Sequence, residues 1–296
     1  QNIDWKKVRE NYEPQTVKIS NDDEFIQLLE NLLNELHNGH SSLNTNLNSS
    51  NRLIPSGSDM YVEKFNNKFY IQDLRKGFGA DLSGLKIGME VKSFNGKPVE
   101  EQLLKFLPKF ITNPNQKMYQ YALDMLFAGK NNTKRGITVI ENKKKKNYFP
   151  VSYENSDELL YSKILNKNTA YIQINNSLGN NILIAEFDKA LDSILQYKNL
   201  IIDLTETPGG GNTTVARAIM GRFISQALPY QIHELDEKQY QTKRHWLEYV
   251  TSRKETYNGN VYILVGHWTG SMGEGIAIGF DGMKRAKIIG TQMAGL

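Results

Sequence analysis

The chain of 296 residues contains no cysteine. That one absence excludes thiol nucleophiles, disulfides, zinc–thiolate sites and iron–sulfur clusters. No apolar run approaches the roughly 18 residues that a bilayer span requires, and no membrane contact is evident. Charge of one sign is scarcely in excess: 36 Lys+Arg against 32 Asp+Glu leave +4, part of it in the single run Lys143 to Lys146. A nucleic-acid partner needs a broader basic face, so that class is set aside. There is no internal repeat, no GxxxxGK[ST], and no GxGxxG between a strand and a helix, so phosphate-cradling loops are excluded as well. The chain opens at Gln1 without an initiator Met or an apolar signal core, as a mature exported chain or a trimmed piece would. What is present, 39% hydrophobic and 23% charged residues, is the composition of a globular protein of about two average domains.

The pattern divides into three stretches. Near the N-terminus, Ser20 to Glu24 supplies cap-type residues and first-turn carboxylates. Phe25, Leu28, Leu29, Leu32, Leu33 and Leu36 then recur at helical spacing. Gly39 is the expected C-cap, with His40 the first residue beyond it. From about Met60 onward, Phe69–Ile71 and Glu90–Phe94 read as strands, with Asn95-Gly96 a hairpin-type turn. Leu103 to Phe127 reads as a helix interrupted near Pro108 and Pro114. Gly136–Ile140 and Tyr148–Val151 read as a hairpin with the lysine run at its solvated tip. From Thr169 the pattern becomes strand–helix alternation. Strands are expected at Ala170–Ile174, Leu200–Leu204, Val261–Val265 and from Lys287, and helices at Ile182–Leu195, Thr214–Ser225 and from Ser271. Buried parallel strands joined by crossover helices produce this order. Pro229 to Asn258 reads as a polar and aromatic insertion placed to cover a cleft.

Two glycine-rich loops, Thr207 to Asn212 and Gly266 to Glu274, each follow an apolar strand and precede a helix. In open α/β sheets ligands bind beyond the carboxyl ends of the strands, so both loops point toward one site. Ser271, among small residues at a helix start, is either an ordinary N-cap or a nucleophile with the Met272 amide beside it as an oxyanion donor. A serine nucleophile needs a base. Of the five histidines, His40 sits where a negative helix end would stabilise an imidazolium. His37 reads as packing, and His267 as leaving a strand in another direction. No HExxH or carboxylate partner makes His37 and His40 a metal site.

Four segments, in order, give the chain a likeness to a known family. These are Leu36-His37-Asn38-Gly39-His40-Ser41-Ser42-Leu43; Asp81 to Val91 with Phe94-Asn95-Gly96-Lys97-Pro98-Val99; Leu200 to Gly210; and Thr269-Gly270-Ser271-Met272-Gly273-Glu274. Together they resemble the C-terminal processing (tail-specific) serine peptidase family, in its histidine-using, tricorn-like branch. The likeness runs over essentially the whole chain. Asn38 stands where that branch carries Asp. Where the lysine-using branch places its base, this chain has Leu296, which excludes a Ser–Lys dyad. The acid that would orient the histidine is expected beyond Leu296, where the family domain reads as unfinished.

The resemblance implies an α/β fold with a catalytic domain of the Clp protease–crotonase type (156–296), preceded by an N-terminal helical segment (1–50) and a PDZ-like domain (51–155). It implies amide hydrolysis with Ser271 as nucleophile, His40 as general base, and the amides of Met272 and of Gly210 or Gly209 holding the oxyanion. No metal or organic cofactor is implied. The expected partner is a peptide or protein substrate cleaved near a carboxyl terminus, and the expected location is exported, in a bacterial periplasm or cell envelope. Two rival readings stay open: a catalytically silent module whose PDZ-like domain binds peptide termini by strand addition, and a serine hydrolase of small esters or amides.

Overall fold

A computed structural model describes residues 3–43, 46–151 and 157–296. It divides into two compact units, residues 1–155 and 156–296. The expected boundary at 155/156 falls at residues 152–156, outside the described ones.

The first unit begins with helix α1 (Trp5–Tyr12), a 3-10 turn (Glu13–Lys18) and helix α2 (Asp22–Asn34). Asn21 caps α2, its side-chain oxygen accepting from the Glu24 amide at 3.0 Å. This satisfies one of the donors that every helix start leaves without a partner. The helix ends at Asn34, earlier than the leucine spacing suggested. Glu35 is the C-cap and His37 takes φ +46°, so Gly39 lies in a separate turn. Leu36 therefore continues the apolar stripe after the backbone has left the helix.

The sheet of the first unit is antiparallel, built from β1 (Met60–Phe65), β2 (Lys68–Leu74), β3 (Glu90–Phe94), β4 (Lys97–Pro98), β5 (Ile137–Glu141) and β6 (Lys144–Tyr148). The order is β1-β2-β3-β5-β6, with β4 paired to β3. The short helices α3 (Gly79–Leu82) and α4 (Val99–Leu103) and the longer α5 (Gln116–Ala128) complete the unit. The single interrupted helix expected from Leu103 to Phe127 is instead α4, an irregular stretch and α5. Asn115 starts α5 by accepting from the Met118 amide at 3.0 Å. The lysine run is also placed differently. Asn142 and Lys143 form the turn in left-handed conformation, and Lys144 to Lys146 lie on β6.

Val62, Ile71, Val91, Phe94, Leu123, Phe127, Ile137 and Val139 are buried together as this unit's core. Arg135, 2% exposed, makes a two-pronged ion pair with Asp59, both contacts at 2.6 Å, and Asp59 also accepts from the Ala80 amide. Satisfying the carboxylate from several sides is what makes such a buried pair tolerable.

In the second unit, β7 (Leu160–Asn166), β8 (Thr169–Ile174), β9 (Asn199–Asp203), β12 (Asn260–Val265) and β13 (Lys287–Gly290) form a sheet ordered β13-β12-β9-β8-β7. All its pairings are parallel except β7 with β8. Helices α6 (Ile182–Asp192), α7 (Thr213–Met220) and α8 (Met272–Gly282) make the crossovers. The core joins Ile172, Leu200, Ile202 and Ile263 of the strands to Phe187, Ile219, Phe223, Ile276 and Phe280. The segment Pro229 to Asn258, expected as an insertion, is largely a two-stranded hairpin of β10 (Leu228–Glu237) and β11 (Thr242–Val250). Its base packs on α8, where any side chain at Gly279 would fall 2.9 Å from the Tyr230 ring.

Candidate active site

The two glycine loops meet because β9 and β12 are parallel neighbours. Both loops leave the same end of the sheet, and they are fastened together there. The Gly270 amide donates to the Thr207 carbonyl at 3.1 Å. The Thr269 hydroxyl donates to the Leu204 carbonyl at 2.8 Å and accepts from the Gly266 amide at 2.9 Å. A Cβ on Gly273 would lie 2.3 Å from the Thr207 hydroxyl oxygen, so only glycine lets the start of α8 seat against the β9 loop.

Ser271 is the residue before α8, as expected, but its backbone is not that of an ordinary cap. A normal N-cap residue is extended, whereas Ser271 has φ +51° and ψ −114°. L side chains rarely adopt this conformation, and holding it costs about 1–3 kcal/mol. Ser271 and Glu274 form a capping box, the Ser271 side chain accepting from the Glu274 amide, so the hydroxyl is fixed at the start of the helix. The residue is held on both sides, its amide donating to the Glu274 carboxylate at 2.9 Å and its carbonyl accepting from the Gly275 amide at 3.0 Å. The following amide, of Met272, is the first of α8, so no carbonyl within the helix can take it. The Tyr230 hydroxyl reaches the Met272 sulfur at 3.4 Å, and burial raises its phenol to about 12.

The other candidate donors separate cleanly. The Gly209 amide is already given to the Asn176 side-chain oxygen at 2.7 Å, so it is not available to an oxyanion. The Gly210 amide has no acceptor among the described residues, and its surface is open. Packing of the loop after β8 brings this about: a Cβ on Gly209 would strike Asn176, and one on Gly211 would strike Leu178. The Asn212 amide donates to the Leu178 carbonyl at 3.2 Å, and its side chain caps α7 by accepting from Val215.

His40 belongs to the first unit. Six positions separate it from the last residue of α2, so a helix-end charge, which fades within one turn, does not reach it. Asn38 fixes its backbone instead, with the His40 amide donating to the Asn38 side-chain oxygen at 2.8 Å. An amide oxygen accepts there as a carboxylate would, so Asn at this position keeps the turn. His37 anchors the stretch. Its ring nitrogens lie 3.1 Å from the Glu35 carbonyl and 2.9 Å from that of Phe106, and its ring packs on Tyr121 of α5. His233 and His245 lie on the β10–β11 hairpin, where His233 stacks on Trp246, and His267 meets Trp268 edge-on.

Two contributors escaped the sequence reading. Asn176 had no signal: it is one of several asparagines in a loop, and its bond spans 33 positions. Glu274 had one, since Ser-x-x-Glu opening a helix is the capping-box spacing.

Residues 168–296 match the model of peptidase family S41. No curated protein sequence matches the chain. Among solved structures, the chain is similar to a photosystem II D1 C-terminal processing protease, with TM-score 0.52 and 14% identity over 98% of this chain and 75% of that one. It is also similar to mature CPAF complexed with lactacystin, with TM-score 0.54 and 12% identity over 91% and 74%. A CPAF mutant gives TM-score 0.60 and 11% identity over 98% and 78%. At such identities the likeness is one of fold: mixed α/β, as in S41 protease structures. Residues 168–296 are thus similar to peptidase family S41, and the chain shares the mixed α/β fold of the C-terminal processing protease structures.

Proposed function

We propose that this chain is a serine-type peptidase that hydrolyses peptide bonds by acyl transfer through Ser271, with His40 as general base. The Ser271 oxygen attacks the scissile carbonyl carbon while His40 accepts the hydroxyl proton. The tetrahedral oxyanion is met by the amides of Met272 and Gly210. His40 then returns the proton to the leaving nitrogen as the C–N bond breaks. Water repeats the sequence on the acyl-enzyme and frees Ser271. The carrying observation is the left-handed backbone of Ser271 at the start of α8, beside a glycine loop whose Gly210 amide is open.

Around this centre the reading assigns a Clp protease–crotonase type to the second unit and a PDZ-like role to the antiparallel sheet of the first. Strand β1 ends that sheet and is flanked by α5, whose Gln120 side chain donates to the Val62 carbonyl at 3.0 Å. An extended peptide would pair with the remaining groups of that edge. The histidine-using branch, cleavage near a carboxyl terminus and an exported location complete the proposal.

The test is labelling with a fluorophosphonate, the modified residue being located by mass spectrometry, alongside a panel of unfolded proteins, peptides and small esters. Modification at Ser271 together with a preference for peptides over esters supports the reading. Modification at another serine, or turnover of esters alone, overturns it.

A further inference from the structure

Glu274, at the third position of α8, is 8% exposed, and its carboxylate accepts three main-chain amides. They come from Ser271, Gly295 and Leu296, each at 2.9 Å. Ser271 and Leu296 share one oxygen, which keeps their nitrogens within about 6 Å of each other. The chain leaving β13 is laid along the whole nucleophile loop. The Thr291 amide donates to the Val265 carbonyl at 3.3 Å, the Ala294 amide to that of Thr269 at 2.9 Å, and Glu274 closes the row.

We infer that Glu274 is the positioning residue of the serine, locking Ser271 in its left-handed conformation and tying it to residues 294–296. The inference rests on the reading of Ser271 as nucleophile. A capping box alone requires one bond back to the cap residue. Here the same carboxylate reaches a segment 21 and 22 positions away. Its two oxygens match three donors because an ionised carboxylate only accepts. Glutamine has one accepting oxygen, and its NH2 would face at least one of the three amides. Aspartate keeps the charge but is one methylene short. Without the bond from its amide, Ser271 is free to relax to an ordinary backbone conformation and swing its hydroxyl out of line.

The test compares wild type, Ser271→Ala, Glu274→Gln and Glu274→Asp in the full chain. It reads the rate of fluorophosphonate acylation, kcat and KM on a peptide, and hydrogen exchange of residues 269–272 and 293–296. Glu274→Gln is expected to slow acylation and kcat about 100-fold with KM within about threefold, as a misplacement near 1 Å would. Exchange should quicken in both segments together, and Glu274→Asp should fall between. Unchanged acylation in Glu274→Gln, or quickened exchange at 269–272 alone, overturns the inference. If wild type is not acylated at Ser271, the nucleophile reading fails, and the exchange result then decides the clamp by itself. Should Glu274→Gln not fold, Leu296→Pro removes one of the three amides and spares the carboxylate. It is expected to slow acylation about fivefold, and an unchanged rate there overturns the inference equally.

Discussion

Ser271 and His40 are held in different ways. The serine sits in a conformation that only its surroundings can maintain, and those surroundings are dense: Glu274 on its amide, Gly275 on its carbonyl, Gly273 against Thr207. The histidine is exposed, and its amide donates to the Asn38 side-chain oxygen. The firm points of its segment lie a few residues earlier. Buried Glu35 accepts from the Tyr12 hydroxyl at 2.8 Å, and His37 is lodged against Phe106 and Tyr121. The geometry of the proposed nucleophile is therefore decided within one helix start and one loop, whereas the proposed base belongs to the first unit. A nucleophile must be aligned to fractions of an ångström, while a proton acceptor tolerates a looser approach that tightens on binding.

The hardest test of this contrast is removal of each group. Ser271→Ala should lower peptide hydrolysis by about 10⁴-fold or more, and His40→Ala by a comparable factor, with the double variant no worse, because nucleophile and base act as a unit. Steady-state rates on an unfolded protein substrate decide it. Near-full activity in His40→Ala would move the base elsewhere and leave only the serine half of the comparison standing.

Asn176→Ala tests whether the dense side extends to the oxyanion loop. Freed from Asn176, the Gly209 amide and its neighbour lose their fixed direction. We expect kcat to fall about 10- to 100-fold with KM within about threefold, less than outright loss of an oxyanion donor. Equal losses in kcat for peptides and for a small activated ester would place the effect on the oxyanion rather than on substrate binding.

On the histidine side, Asn38→Ala should lower activity about fivefold, the equivalent of about 1 kcal/mol for one side-chain-to-backbone bond. Asn38→Asp should retain wild-type rates. A drop as large as that of His40→Ala would show that the turn matters as much as the ring it carries.

The smallest effect concerns the platform under the histidine segment. Burial pushes the carboxyl of Asp124, on α5, up to about 7, although a hydrogen bond from Gln120 works against the rise. Folding then favours the protonated form, and stability declines as pH rises from the ordinary carboxylate range through about 7. Asp124→Asn should remove that decline. Its melting temperature should exceed that of wild type by a margin that widens between about pH 4 and pH 7 and is constant above, with fluorophosphonate labelling of Ser271 unchanged. Thermal unfolding across that range reads the slope.

The second unit was more legible in the sequence than the first, for a physical reason. A parallel strand covered on both faces must be apolar almost throughout, so Leu200–Leu204 and Val261–Val265 announce themselves, and the glycine loops that follow mark the end of the sheet where ligands bind. Edge and surface strands carry no such mark. Strand β7 is exposed along nearly its whole length and β10–β11 along most of theirs, so neither showed the alternation by which strands are recognised. The position of Ser271 was readable from its small neighbours, but its backbone conformation was not, because bonds from Glu274 and Gly275 impose it. His40 was readable as a candidate for a reason that proved wrong. The leucine spacing runs past Asn34 and hides the point where the helix stops.

Placement of the lysine run has a further consequence. Lys144, Lys145 and Lys146 lie on β6, which ends the antiparallel sheet, and their side chains alternate across it. An uncovered final strand is a template on which another molecule can extend the sheet, and the ammonium groups of Lys144 and Lys145, beside a Lys146 paired to Glu141 at 2.9 Å, make that docking less favourable for a copy of the same strand. The run so conspicuous in the sequence is thus placed as a fender on that edge, and edge-to-edge association is expected to rise with ionic strength as the charges are screened, which light scattering against salt would read.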